Sequence, residues 1–205
     1  MYTALRLLIL FGKTSSGCIN SPYITYRKLA NDKTDARLVV FILLLVILYF
    51  AFASLVRTGM HNPYLLTLKF NTLILGAGVG FMGMIFALFA LGRILGNVAT
   101  FKTLFILWSF SLLPTLIWFF FTSFFYLILP PPRTLSILGK LFTLWFVFFT
   151  GAIFLWKIIL YYLTLRFGLR FDLFKIAAVS LIISPLIVSY SVAMYRLGIF
   201  RIPFL

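Results

Sequence analysis

Residues 38–56 read LVVFILLLVILYFAFASLV, an uncharged run with Arg37 immediately before it and Arg57 immediately after it. A helix needs about 20 mostly apolar residues to cross a hydrocarbon core about 30 Å thick. This stretch therefore reads as a membrane span without help from the rest of the chain. Four more stretches have the same character, near residues 72–91, 104–129, 141–163 and 176–195, each flanked by Lys or Arg. In lipid, only helices and closed barrels satisfy every backbone N–H and C=O, and these runs lack the two-residue alternation of barrel strands. The predicted fold is all-α: a polytopic transmembrane helical bundle of about five spans over residues 36–205. Residues 1–35 precede it as a cytoplasmic or interfacial amphipathic segment.

Composition agrees. The 205 residues are 63% hydrophobic and 20% aromatic, and only 10% are charged, against about 25% in soluble domains. Such a chain cannot cover a water-facing surface. Its charge is lopsided, with eighteen Lys and Arg against the acids Asp32, Asp35 and Asp172, a net charge of +15. The basic residues lie between apolar runs and do not gather on one face, so nucleic acid is not the expected partner. Anionic lipid headgroups and the positive-inside rule explain the spacing. Twelve basic residues fall on the side that holds the N-terminal segment and six on the other. The N-terminus is therefore expected in the cytoplasm and the C-terminus outside.

The first 35 residues divide in two. Residues 7–11 belong to an apolar patch too short to span. Ser15-Ser16-Gly17-Cys18 is faintly similar to the box before an acylated lipoprotein cysteine, but Lys13 and Ser15 disagree with that pattern. This part is expected either to lie on the membrane surface or to reflect a misplaced start codon. Ser21 and Pro22 then read as an N-cap and first helical position. The helix they open carries Tyr23, Tyr26 and Leu29, with Arg27 and Lys28 placed to reach headgroups. Cys18 is the single cysteine, so no internal disulfide can form.

Within the spans, Gly78-Val79-Gly80-Phe81-Met82-Gly83 fits the dinucleotide-binding pattern G-x-G-x-x-G. That motif needs a preceding strand and an acid about 20 residues on, and this copy has neither. Helix packing is the better reading: Gly76 and Gly80 form G-x-x-x-G, Gly83 extends the face, and Gly92 and Gly96 repeat the spacing. Pro114 and Pro185 are expected to kink their helices. Lys157, near the end of the fourth span, is expected to snorkel toward the interface. Residues 164–175, TLRFGLRFDLFK, read as an interfacial elbow with Phe167, Phe171 and Phe174 in lipid, Arg166 and Arg170 on an adjoining face, and Gly168 as a helix C-cap. With one histidine (His61), three acids and one cysteine, the chain is poorly equipped for acid–base or metal chemistry. No enzyme activity, cofactor or metal is expected.

Three blocks in order resemble the Yip-one domain family, whose eukaryotic members are named for interaction with Ypt/Rab GTPases. They are Ser21-Pro22 through Tyr26-Arg27-Lys28-Leu29, then Gly96-Asn97-Val98-Ala99-Thr100-Phe101-Lys102-Thr103-Leu104 running to Ser111-Leu112-Leu113-Pro114. The third is Leu155-Trp156 with Leu165-Arg166-Phe167-Gly168-Leu169-Arg170 and Ala177-Ala178. The chain departs from eukaryotic members in having no long polar N-terminal domain and no Asp-Leu-Tyr-Gly-Pro motif. The resemblance thus implies a prokaryotic-type member in the cytoplasmic membrane, and leaves open whether the GTPase binding of eukaryotic relatives applies. The expected role is to organise membrane lipid, chiefly anionic headgroups, or a membrane-protein partner or second copy of the chain. Arg27, Lys28, Arg166 and Arg170 are the candidate surface. A permease, or the membrane subunit of a transporter, is the alternative, with Ser109, Ser111 and Ser184 available to line a polar path.

Overall fold

The computed structural model describes residues 2–31, 34–58, 63–96, 100–128 and 137–199. Asp32, Lys33, His61, Asn97 to Ala99, the prolines 130–132, Arg133 and Arg201 lie outside the described residues. Eight α-helices follow in chain order: α1 (Tyr2–Asn20), α2 (Pro22–Leu29), α3 (Leu38–Thr58), α4 (Pro63–Ile94), α5 (Phe101–Phe110), α6 (Leu113–Ile128), α7 (Ile137–Leu163) and α8 (Leu173–Arg196). Among the described residues, five stretches are long and apolar enough to cross a membrane: Leu38–Leu55, Tyr64–Ile94, Phe101–Phe125, Gly139–Gly168 and Leu173–Arg196. The chain is an all-α, multi-pass helical bundle.

The third span is two helices. Leu112 N–H turns back to the Ser109 carbonyl at 3.0 Å, and the Ser111 hydroxyl donates to the Trp108 carbonyl at 2.7 Å. Pro114 falls in the first turn of α6, where a missing N–H leaves no ladder bond unmade. Pro114 thus opens a second helix instead of bending a continuous one. Pro185 sits inside α8, where it removes one i→i−4 bond from the ladder. At the start of α5 the Thr100 hydroxyl accepts from Thr103 N–H at 3.4 Å, an N-cap.

Two apolar cores share α5. One gathers Cys18, Tyr26, Val39, Ile42, Leu107, Phe110 and Leu160, joining α1, α2, α3 and α7 to the third span. The other gathers Ile85, Leu88, Leu104, Leu169, Phe171 and Val179, joining α4 and α8 to it. The seven residues Thr103, Leu104 and Ile106 to Phe110 of α5 are buried. A helix that is apolar all round is one that neighbours surround.

The N-terminal segment packs against the bundle through part of its surface, while Leu5, Leu8 and Ile9 stay exposed. Cys18 and Tyr26 are fully buried. The Trp156 indole N–H donates to the Cys18 carbonyl at 3.1 Å, and Phe11 stacks on Phe41 at 5.3 Å. The Tyr26 hydroxyl donates to the Leu107 carbonyl at 3.3 Å, which satisfies the polar atom of this buried ring. The elbow differs too. Residues Thr164–Gly168 form a π-helical turn continuing α7, and the left-handed position is Arg170 at φ 52°. Gly168 is not a left-handed cap: a Cβ there would lie 3.0 Å from Leu104 Cδ2 and 3.2 Å from Leu107 Cδ1, so glycine lets α5 come close. Phe171 is buried in the core while Phe174 is exposed, so the three rings of the elbow do not share a lipid face.

Candidate functional site

α2, the start of α5, the end of α4, the π turn and the start of α8 meet at one end of the bundle. Tyr23 of α2 packs edge-on against Phe167 of the π turn at 5.1 Å, and the Lys175 ammonium donates to the Leu95 carbonyl at 3.3 Å. That bond places a cation at the C-terminus of α4, where the helix dipole favours it. Gly96, the next residue, takes φ 77° and closes α4 as a left-handed cap. Arg27, Lys28, Arg93, Lys102, Arg166, Arg170 and Lys175 are all exposed at this end. Arg166 is partly committed, since its guanidinium donates to the Phe171 carbonyl at 2.8 Å and pairs with Asp172 at 3.4 Å. Such exposed pairs contribute roughly 0–1 kcal/mol. The fold therefore brings Arg27 and Lys28 to the same end as Arg166 and Arg170.

The glycines fall into different environments. A Cβ on Gly80 would meet the Tyr190 ring at 2.6 Å, and the Tyr190 hydroxyl donates to the Gly76 carbonyl. Gly76 and Gly80 thus make a groove on α4 that receives a side chain of α8, not a helix backbone. A Cβ on Gly92 would lie 2.7 Å from Leu169 Cδ2, whereas Gly83 and Gly96 have open space beside them.

Between the two cores lies a cavity of about 610 Å³, lined from α3 by residues such as Tyr49, from α4 by Ile74 to Ala87, and from the third span by Trp108, Thr115 and Phe119. Lys157 and Tyr161 of α7 and Tyr190 of α8 complete it. The lining is overwhelmingly apolar. Lys157 does not snorkel: it is 5% exposed, with its ammonium 5.5 Å from the Tyr161 ring centroid, and Tyr161 stacks on Trp108 at 4.9 Å. Lys157 lies six residues short of Leu163, about 9 Å inside the end of α7 at 1.5 Å per residue, a position from which a long side chain ordinarily still reaches the interface. Tyr190 and Thr115 had no local signal, because their partners lie on other helices.

Burial pushes the Cys18 thiol up to about 12 and raises the Tyr26 phenol well above its ordinary value, so both stay protonated. Among the described residues no three His, Cys, Asp or Glu side chains gather as metal ligands would.

A family model described as the Yip1 domain matches residues 17–195, nearly the whole chain. The chain belongs to the Yip1 domain family. No curated protein and no solved structure matches it. The match begins at Gly17 and so takes in Cys18 and the whole of α2, the segment that the Yip1 fold here packs against α5 and α7.

Proposed function

We propose that this Yip1-domain protein organises anionic lipid at its basic end, without catalysing a reaction, and that this end faces the cytoplasm. The carrying observation is convergence. Segments up to 143 positions apart (170 − 27) bring Arg27, Lys28, Arg166 and Arg170 to one end of the bundle, beside Lys102 and Lys175. Exposed aromatic residues such as Tyr23 and Phe174 accompany them, the pairing that holds an interfacial segment on anionic lipid. A non-catalytic role is supported by the acids. Asp35 and Asp172 each pair with a neighbouring Arg, at 3.9 and 3.4 Å, in exposed positions, and neither lines the cavity.

Each basic residue near an anionic surface contributes on the order of 1 kcal/mol. Replacing Arg27, Lys28, Arg166 and Arg170 together with Gln is therefore expected to reduce anionic-lipid enrichment around the protein by at least about tenfold at low salt, and less at high salt. The measurement is lipid exchange in nanodiscs of mixed anionic and neutral phospholipid. Unchanged enrichment would refute the surface role and leave these cations as determinants of insertion only. Reporter fusions after Lys102 and Lys175 test the orientation and are expected to read cytoplasmic.

The permease alternative gains no support from its candidate serines. Ser109, Ser111 and Ser184 spend their hydroxyls on the Phe105, Trp108 and Ser180 carbonyls of their own helices, at 2.6–2.7 Å. None of the three lines the cavity.

A further inference from the structure

We infer that the intramembrane cavity binds a single-chain lipid carboxylate, its alkyl chain along the apolar lining and its carboxylate held by Lys157 and Thr115. This goes beyond the surface reading and does not depend on it, because Lys157 is not among the four residues that test that reading.

Shape points to a chain. Along α4 the lining runs from Ile74 to Ala87, about 20 Å at 1.5 Å per residue. That exceeds the roughly 15 Å depth of one leaflet's hydrocarbon. The volume of about 610 Å³ falls within the roughly 300–1,000 Å³ of sites that enclose small ligands. An apolar lining offers water few partners, and such cavities stay dry, so alkyl carbons suit it where a hydrated solute does not. Val79 and Leu186 line the cavity and are themselves well exposed, so the cavity opens at the surface of the bundle. A chain can therefore enter sideways from the bilayer.

Chemistry points to the head. Among the described residues of the lining, Lys157 is the one cation. Thr115 is 8% exposed, lines the same cavity, and its hydroxyl has no hydrogen-bond partner. A buried hydroxyl without a partner is costly, and each native instance calls for an explanation. An ammonium offers three donors and a threonine hydroxyl one, and a carboxylate only accepts. With three donors on the ammonium, a carboxylate has acceptors to offer Lys157 beside whatever else that ammonium contacts, and to offer the Thr115 hydroxyl, through the charge-assisted bonds that are the stronger kind. It also brings a single charge, which is less costly to bury than a phosphate dianion. A neutral alcohol of equal length fills the same volume but brings no charge to Lys157.

The test uses the full chain in nanodiscs of phosphatidylcholine alone, with palmitic acid carrying a mid-chain diazirine as the probe. After photolysis, the label is expected on residues 74–87 and 112–119. Unlabelled palmitate should compete at least about tenfold better than hexadecanol, the difference a charge-assisted contact supplies. Lys157→Met should erase that preference while a diazirine-bearing hexadecanol still labels the same segments. Lys157→Arg should keep it, and Thr115→Val should weaken palmitate competition about threefold. Label confined to outward residues such as Leu181 and Phe148 overturns the proposal. So does equal competition by acid and alcohol in the unmodified protein, a comparison that decides the matter whatever the variants do.

Discussion

The end of the bundle where α2, α5 and the π turn meet is built unlike the hairpin of α6 and α7. At the first, Tyr26, Leu107, Leu169 and Phe171 are fully buried, a glycine admits α5 to close range, and a phenol is anchored on a distant carbonyl. At the second, rings do the joining. Phe125 meets Phe142 at 5.1 Å, Phe121 meets Phe149 at 5.3 Å, and Trp145 stacks on Phe149 at 5.3 Å, yet Phe121 and Trp145 remain exposed to lipid. Among the described residues a polar link crosses here, from the Trp118 indole N–H to the Thr150 hydroxyl at 3.1 Å. Lipid tails are as apolar as these rings, so hiding a ring from lipid gains no hydrophobic free energy. Close packing and satisfied polar atoms have to hold helices together. The first region has both, and the second relies on ring geometry.

The largest expected effect is on Cys18, inside the dense region. With its thiol pushed up to about 12 from an ordinary 9.0 and its side chain buried, it should react with maleimide at pH 8 roughly a thousandfold more slowly than in the denatured chain, because the thiolate is the nucleophile. The sign for stability follows. The folded chain keeps this proton where the unfolded chain releases it, so the contribution is intact below about pH 9 and is lost as pH rises from there toward 12. Rapid labelling of folded protein would break the contrast between the regions.

Next in size is truncation. Tyr26→Ala should destabilise the detergent-solubilised protein by about 3–5 kcal/mol, as removal of a buried aromatic side chain does. Phe148→Ala, at a position 70% exposed, should stay within about 0.5 kcal/mol. Thermal unfolding midpoints compare the two, and equal losses would mean that lipid-facing rings hold the fold as firmly as buried ones.

Overpacking comes third. Gly80→Leu drives a side chain into the Tyr190 ring and should cost about 1–3 kcal/mol. Gly83→Leu, with open space beside it, should be close to silent in the same assay. The smallest effect is expected in the hairpin. Trp118→Phe keeps the ring and loses the bond to Thr150, for about 0.6 kcal/mol, the average of such bonds between membrane helices. A larger loss there would show that the hairpin leans on its polar link more than on its rings.

These regions also differ in how far they can be read from the sequence. The spans were legible because the bilayer acts as a solvent of fixed thickness, and a run such as residues 38–56 has no other way to satisfy its backbone. The exposed cations Arg27, Lys28, Arg166 and Arg170 were legible for the same reason, as charges outside hydrocarbon. What joins the spans was not. Tyr26 meets Leu107 across 81 positions, Tyr190 meets Gly76 across 114, and Trp156 meets Cys18 across 138. No local periodicity encodes such partners. Lys157 was misjudged because a long side chain near a helix end ordinarily reaches the interface, and only the packing of Tyr161 and Trp108 shows that it stays inside. Gly168 was assigned a cap on the strength of its residue type, while Arg170 carries the left-handed backbone.

The break in the third span carries a consequence in time. α5 has 10 residues and α6 has 16, about 15 and 24 Å long, so neither alone crosses a hydrocarbon core of about 30 Å. Their junction interrupts the regular backbone ladder inside the apolar stretch Phe101–Phe125, and a lipid-exposed interruption is not tolerated in hydrocarbon. In the finished fold α2 and α3 shelter it, with Tyr26 on the Leu107 carbonyl. Both shelters are synthesised before α5 leaves the ribosome. The order of the helices along the chain is thus also a workable order of assembly, in which the weakest span arrives to find its neighbours waiting.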